Sequence, residues 1–225
     1  MCVSQRLVIL AGLAGLAGGA LAQTPDPQIP GLYNDPPAGV YETDPAHTSL
    51  AVRADHLGFS DYLVLFTDVE ATLDFDPAEP ERMSVQARIG TASLTTHYPL
   101  DDLDFDAVLT GPDWLQAGRF PDIRFVSDRV EPTGDTTADL HGTLSFLGVD
   151  QPVVLAVTYN GGWAGLDPHD PQARIGFSAT TQLDRSAFGL TNGLPPAGTD
   201  FGVADQVDVR IEAEFTGPPL TLPAE

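Results

Sequence analysis

Lysine is absent from this chain, and cysteine occurs once, at Cys2. The ten basic residues are therefore all arginines, set against 32 aspartates and glutamates, for a formal net charge of −22. Such a chain has few cations with which to displace the counterions of DNA or RNA, and it repels anionic membrane surfaces, so nucleic-acid binding is excluded as its main business. A lone cysteine excludes an intramolecular disulfide framework; stability has to come from a packed interior. Long apolar runs are also lacking, with one exception at the start. Leu7 to Leu21 follows Arg6 without a charged residue and ends in Ala20-Leu21-Ala22. The run is shorter than the ~20 residues a membrane span needs, and it reads as a secretory signal peptide over residues 1–22. Cys2 precedes the run, so it is no lipidation site at a cleavage point. Cleavage would remove it with Arg6, take the net charge to −23 and leave no transmembrane anchor.

Proline then marks the ends of the folded unit. Pro25, Pro27, Pro30, Pro36 and Pro37 make residues 23–39 an extended leader, and Gly217-Pro218-Pro219 opens a flexible tail over 217–225. One domain over 40–216 remains, long enough for a sizeable core. Within it, strict alternation of apolar and polar residues predicts strands. Leu50, Val52, Ala54 and His56 share one face; so do Val85, Ala87 and Ile89; Ile123 and Phe125; Leu140, Gly142, Leu144 and Phe146; Val153, Leu155, Val157 and Tyr159; Ile175, Phe177, Ala179, Thr181 and Leu183; and Val207, Val209, Ile211, Ala213 and Phe215. Between Tyr62 and Phe75 the phase slips near Asp68, which predicts a β-bulge. Pro99 to Ala117 breaks the pattern. Its early Asp101, Asp102, Asp104 and Asp106 suit a helix N-terminus, and Gly111-Pro112 splits the segment into two short helices. Trp114 reads as a core anchor of this insertion, and another short helical turn is expected after Arg185. Many strands with one apolar face fit an up-and-down barrel or a two-sheet sandwich.

Chemistry-bearing motifs are few. Ser186 lacks a glycine elbow, and no carboxylate pair stands out for acid–base work, so no enzyme is supported. Asp101 to Asp106 lacks the glycine and terminal glutamate of a calcium loop. Asp44 and His47, with His56, could form half a metal site, but no further ligand is suitably spaced; hydrogen bonding in turns is the better reading, and no metal or cofactor is expected.

Several motifs in order carry a family resemblance: Tyr41-Glu42-Thr43-Asp44-Pro45-Ala46-His47-Thr48, His56-Leu57-Gly58-Phe59-Ser60, Ser93-Leu94-Thr95-Thr96, Phe120-Pro121-Asp122-Ile123-Arg124-Phe125-Val126-Ser127, Gly142-Thr143-Leu144-Ser145-Phe146-Leu147-Gly148-Val149 with Pro152, Asp184-Arg185-Ser186-Ala187-Phe188-Gly189-Leu190, and Asp205 with the final strand. Over about residues 40–216 the chain resembles the YceI-like family of bacterial periplasmic proteins. The resemblance implies an all-β, extended lipocalin-like antiparallel barrel of about eight strands with a helical insertion near 99–117. It implies a tunnel for a long-chain amphiphile such as a polyisoprenoid, an isoprenoid quinone or a fatty amide. The sequence departs from the family at Leu65, Asp55 and Gln151, where glycine, lysine and lysine are common, and in the loop Leu190–Phe201. Val52, Val85, Phe125, Leu144, Phe146, Phe177, Val209 and Phe215 are candidate tunnel walls; the competing reading is that they fill a solid core, as side chains do in many small barrels. His56 and Arg185 are candidate headgroup contacts, with a local ion pair from Arg185 to Asp184 or Asp205 as the other option. The expected function is a non-catalytic periplasmic carrier of an isoprenoid or acyl lipid. The alternatives are a structural or protein-partner module with a packed barrel and a hydrolase or isomerase acting on such a lipid. A homodimer is one option for its assembly.

Overall fold

The computed structural model describes residues 35–165 and 170–219. The expected signal peptide, all but the end of the leader, and the last six residues lie outside the described residues. The strands are β1 (Gly39–Thr43), β2 (Ser49–His56), β3 (Ser60–Phe66), β4 (Val69–Phe75), β5 (Ser84–Gly90), β6 (Leu94–Thr95), β7 (Asp122–Pro132), β8 (Thr137–Phe146), β9 (Val149–Trp163), β10 (Gln172–Asp184) and β11 (Val203–Pro219). Every pairing is antiparallel. β1, β4, β5 and β7 to β11 close an eight-stranded barrel, because β11 pairs with β10 on one edge and with β1 on the other. Closure fixes the architecture as a barrel rather than a sandwich and removes the edges of these eight strands, while β3 keeps an edge without a strand partner among the described residues over Ser60–Val64.

The edge of β11 that meets β1 at Phe215 and Thr216 passes to β2 between Val203 and Glu212. β3 pairs with β2 where β4 pairs with β1, and β6 pairs with β3 where β5 pairs with β4. Three long strands are thus each interrupted at one level: at 44–48, at Thr67–Asp68 and at Thr91–Ser93. The slip expected as a bulge near Asp68 is this interruption, where the chain changes partners from β2 to β1. It is held by Ser93, whose hydroxyl accepts from the Thr67 and Asp68 N–H groups at 3.2 and 3.0 Å.

The insertion contains one short helix, α1 (Phe105–Thr110), not two. Asp104 caps it by accepting from the Ala107 N–H at 2.9 Å, so it starts later than the acidic run does. Gly111 and Pro112 end it, and turns follow. Asp106 ties α1 to the wall by accepting from the Thr96 N–H (2.9 Å) and the hydroxyls of Thr95 (3.0 Å) and Thr96 (2.6 Å). Leu109, Leu115 and Trp114 then pack with Leu50, Phe66, Leu94 and Val209, completing the wall beyond the two-residue β6. The expected turn after Arg185 is a 3-10 turn, Arg185–Phe188.

The closing seam rests on Tyr41, which is fully buried. Its ring lies over Gly217, and its hydroxyl donates to the Pro37 carbonyl at 2.7 Å. Burial, reinforced by nearby Tyr159, pushes its phenol up to about 12. β11 runs to Pro219, so residues 217–219 belong to this strand rather than to a tail. Gly217→Val is expected to lower stability by roughly 1–3 kcal/mol through overpacking against Tyr41. Gly176→Ala, where a new Cβ meets only ordinary contact, should leave it within about 0.5 kcal/mol. Urea denaturation of both variants checks this.

Candidate functional site

The barrel interior is open: a cavity of about 1110 Å³ runs inside the wall. Its lining on β11 extends from Val203 to Phe215, about 40 Å along the strand and about 30 Å along an axis at the usual tilt. Val52, Val85, Phe125, Leu144, Phe146, Phe177, Val209 and Phe215 all line it. Space remains between these large residues because many of the same inward positions carry alanine. Ala54, Ala71, Ala87, Ala138, Ala179 and Ala213 line the cavity too. Tyr62, Tyr98, Phe105 and Trp114 are further lining residues that the strand periodicity did not single out. Tyr62 was legible as the inward member of Ser60, Tyr62, Val64 and Phe66; Phe105 and Trp114 come from the insertion and Tyr98 from the segment just before it, whose docking no period-2 pattern reveals.

The two ends of the cavity differ. At one end lie His56 and Ser60 from the β2–β3 turn, with Tyr62, Tyr98, Trp114 and Arg185. Phe59 and Phe201 stand exposed there, 85% and 77%, on two loops joined by the Leu57 N–H donating to the Gly202 carbonyl at 2.9 Å. At the other end, Asp35, Pro36, Asp135 and Thr136 border an aromatic group of Phe75, Tyr159, Phe177 and Phe215 with ring centroids 5.4–6.3 Å apart.

Arg185 lines the cavity but spends its donors on the chain. Its guanidinium donates to the carbonyls of Ala204 (3.0 Å), Asn192 (3.1 Å) and Val203 (3.0 Å), rather than to Asp184 or Asp205. Burial lowers its pKa from the ordinary arginine value. Asp205 instead accepts from the N–H and hydroxyl of Ser186, at 2.8 and 2.6 Å. The Ser186 hydroxyl therefore faces a carboxylate and bonds no histidine among the described residues, which suits a loop anchor and not a nucleophile.

His47, Asp44 and Glu214 do come together on the outside of the barrel. Asp44, however, already accepts from Arg174 Nη1 (2.8 Å) and the Ala46 N–H (2.9 Å), and it bonds His47 Nδ1 (3.0 Å). A guanidinium inside the cluster repels a divalent cation, so the geometry is that of a hydrogen-bonded turn. The Arg174 hydrogen bond, then that of His47, holds the Asp44 carboxyl far below the usual carboxylate range. Asp44 and Glu214 in turn raise His47.

These contacts yield two expectations. Arg185→Met should destabilise the protein by roughly 1–3 kcal/mol by leaving three half-buried carbonyls without their donor, and Arg185→Lys should recover little, because one ammonium cannot reproduce the planar fork. Chemical denaturation measures both. Asp44, with its folded pKa depressed, stabilises above its unfolded value of about 3.9 and loses that contribution as pH falls through the folded value. Asp44→Asn should therefore flatten the stability–pH curve below about pH 4 and bring His47 back toward its ordinary pKa, seen by NMR titration.

Known proteins share this architecture. Residues 41–215 match the family described as the YceI-like domain. A UPF0312 protein of Pseudomonas fluorescens is 35% identical over 180 residues, covering 78% of this chain and 84% of the relative. One from Pseudomonas savastanoi is 33% identical over 160 residues, 71% of this chain and 80% of its own. Among solved structures, the Campylobacter jejuni YCEI protein superposes with a TM-score of 0.61 at 27% identity, covering 73% of this chain and 90% of that one. BcnA of Burkholderia cenocepacia (TM-score 0.64, 24% identity, 76% and 98% covered) and a polyisoprenoid binding domain from Saccharophagus degradans (0.57, 12%, 81% and 100%) share the fold. With its closed barrel, its apolar interior and a match spanning nearly the whole described domain, the chain belongs to the YceI-like family.

Proposed function

We propose that the protein is a non-catalytic carrier, working in the periplasm, that holds one long-chain amphiphilic lipid inside the barrel. The observation that carries this reading is the cavity: about 1110 Å³, walled by inward apolar residues of β2 to β5 and β7 to β11. Pockets for drug-sized ligands run to roughly 1,000 Å³, so this one suits a larger guest. Engineered core cavities cost roughly 24 cal/mol per Å³. A sealed dry void of this size would exceed the ~5–15 kcal/mol net stability of a whole domain. Water is a poor filling, since it needs polar partners that these walls scarcely offer. An apolar chain gains roughly 2.5 kcal/mol for each 100 Å² it buries, which makes it the natural occupant. The polyisoprenoid binding domain with the same fold supports a long branched chain as one such guest. The export signal read at residues 1–22 supports the compartment.

Long-chain probes should bind with one site per chain, followed through quenching or enhancement of Trp114 at the cavity wall. Ala179→Trp, which fills the middle of the tunnel, should weaken a polyprenyl or long-tailed quinone probe by at least about tenfold, ~1.4 kcal/mol, while the far-UV circular dichroism stays unchanged. Failure of every such probe to bind the unmodified protein, with the ligand-free chain folded, would overturn the carrier reading in favour of a structural module.

A further inference from the structure

We infer that the His56 end of the barrel docks on a zwitterionic lipid surface through Phe59 and Phe201, whose rings enter the interface while the carboxylates around them face the ammonium ends of the headgroups. The surface lies outside the cavity. Its purpose rests on the carrier reading above, since a cargo that resides in a bilayer has to be exchanged at one.

The first observation is how the two rings are held. The chain has eleven phenylalanines, and the other nine are buried or partly buried. Phe59 and Phe201 are the most exposed large apolar side chains among the described residues. Both are fixed by their backbones. Leu57 and Gly58 adopt left-handed conformations (φ 62° and 70°), rare for a leucine. The Asp55 carboxylate accepts from the Gly58 N–H at 2.8 Å, and the Phe59 N–H donates to the His56 carbonyl at 3.0 Å. On the other loop the Thr199 N–H donates to the Pro196 carbonyl at 3.0 Å and the Val203 N–H to the Gly193 carbonyl at 2.7 Å, so Phe201 is held from both sides. A strained turn that keeps an aromatic ring in water is a feature of working sites, not of packing.

The second is place. His56 and Ser60, on either side of the Phe59 turn, are exposed and also line the cavity, so the cavity opens beside Phe59. At the opposite end the exposed lining residues, Pro77, Asp135 and Thr136 among them, include no aromatic ring.

The third is charge. The segments 55–61, 98–104 and 191–202 flank the His56 end; Tyr98 packs on Phe105, and Phe105 on Tyr62, one inward pair from His56 and Ser60. They carry Asp55, Asp61, Asp101, Asp102, Asp104 and Asp200 and no arginine, and none of these carboxylates is paired with a described arginine. Choline and ethanolamine headgroups end in an ammonium, which carboxylates and ring faces both attract, whereas a phosphoglycerol head is anionic and repelled. Exposed ion pairs add little affinity, so the carboxylates select the surface. The rings supply the binding, each roughly ten- to a hundredfold in partitioning when fully buried. Two rings give weak, reversible attachment, which suits a carrier that must leave again.

The test is flotation of the purified chain with vesicles of phosphatidylcholine and phosphatidylethanolamine, and with vesicles in which half of that lipid is replaced by phosphatidylglycerol. The chain should bind the first kind, and Phe59→Ser combined with Phe201→Ser should weaken this at least about tenfold. Val40→Ser, at an exposed apolar residue of β1 outside the cavity lining, should leave it unchanged. Phosphatidylglycerol should weaken binding at least about fivefold at low salt, a difference that closes at high salt. Geranylgeraniol should bind the parent and the double variant alike in solution, while its transfer out of vesicles slows in the variant. No vesicle binding, equal binding by the double variant, or tighter binding to the phosphatidylglycerol vesicles overturns the inference. Dimerisation lost in the double variant, without vesicle binding, also overturns it and gives the surface to a second copy. Uptake of geranylgeraniol in solution without vesicle binding leaves the carrier reading standing; vesicle binding through both rings with no uptake overturns the carrier reading alone.

Discussion

Everything in this structure depends on a two-residue period imposed on a closed sheet. In a strand, alternate side chains point to opposite faces. Once β11 joins β10 on one edge and β1 and β2 on the other, one face of each strand has no outlet except the barrel interior. Apolar residues at those positions hold the fold together by leaving water. Their sizes decide whether the interior is solid. Phe75, Phe177 and Phe215 gather with Tyr41 near β1, leucines gather with Phe66 and Phe146 near the insertion, and alanines on β2, β4, β5, β8, β10 and β11 leave space along the cavity. The same pattern that supplies the core supplies the cavity wall.

The outside is organised by scarcity of cations. The chain has ten arginines and no lysine, and three of the described arginines each hold several carboxylates or carbonyls at once. Arg88 binds Asp68 (2.9 Å), Glu70 (3.0 Å) and Asp122 (3.2 Å), joining β4, β5 and β7 at the level where the strands are interrupted. Arg174 joins Asp44 to Asp170. Arg185 knits the 3-10 turn to the start of β11. The planar, five-donor guanidinium makes this sharing feasible where an ammonium would not. The remaining acidic surface keeps the chain apart from other anions and leaves the interior to hydrophobic burial.

Much of this was legible in the sequence because it is periodic. The inward sets on β2, β5, β7, β8, β9 and β11 follow directly from alternation, and the eight residues expected to wall a tunnel all line the cavity. Three things resisted. The slip at Asp68 signals an irregularity but not its kind, since a bulge and a change of strand partner disturb the phase alike. The acidic run before α1 looks like a long helix start, yet Asp104 caps only six residues, and Asp106 turns toward Thr95 and Thr96. Arg185 reads as a headgroup contact or as the ion-pair partner of Asp184 or Asp205, whereas its partners are backbone carbonyls, which leave no mark in side-chain chemistry. Alanine on the inward face was the available sign that the barrel is open, visible at Ala54, Ala87, Ala179 and Ala213 without any structure.

The central claim is that the interior of this barrel is a lipid site and not merely a core. Its most direct test is native mass spectrometry of the chain purified without detergent, followed by organic extraction of the same sample. The expected result is one lipid per chain, released on denaturation and carrying a long apolar tail. A bare-chain mass together with an extract free of lipid, from protein that is folded and takes up no long-chain probe afterwards, would contradict it.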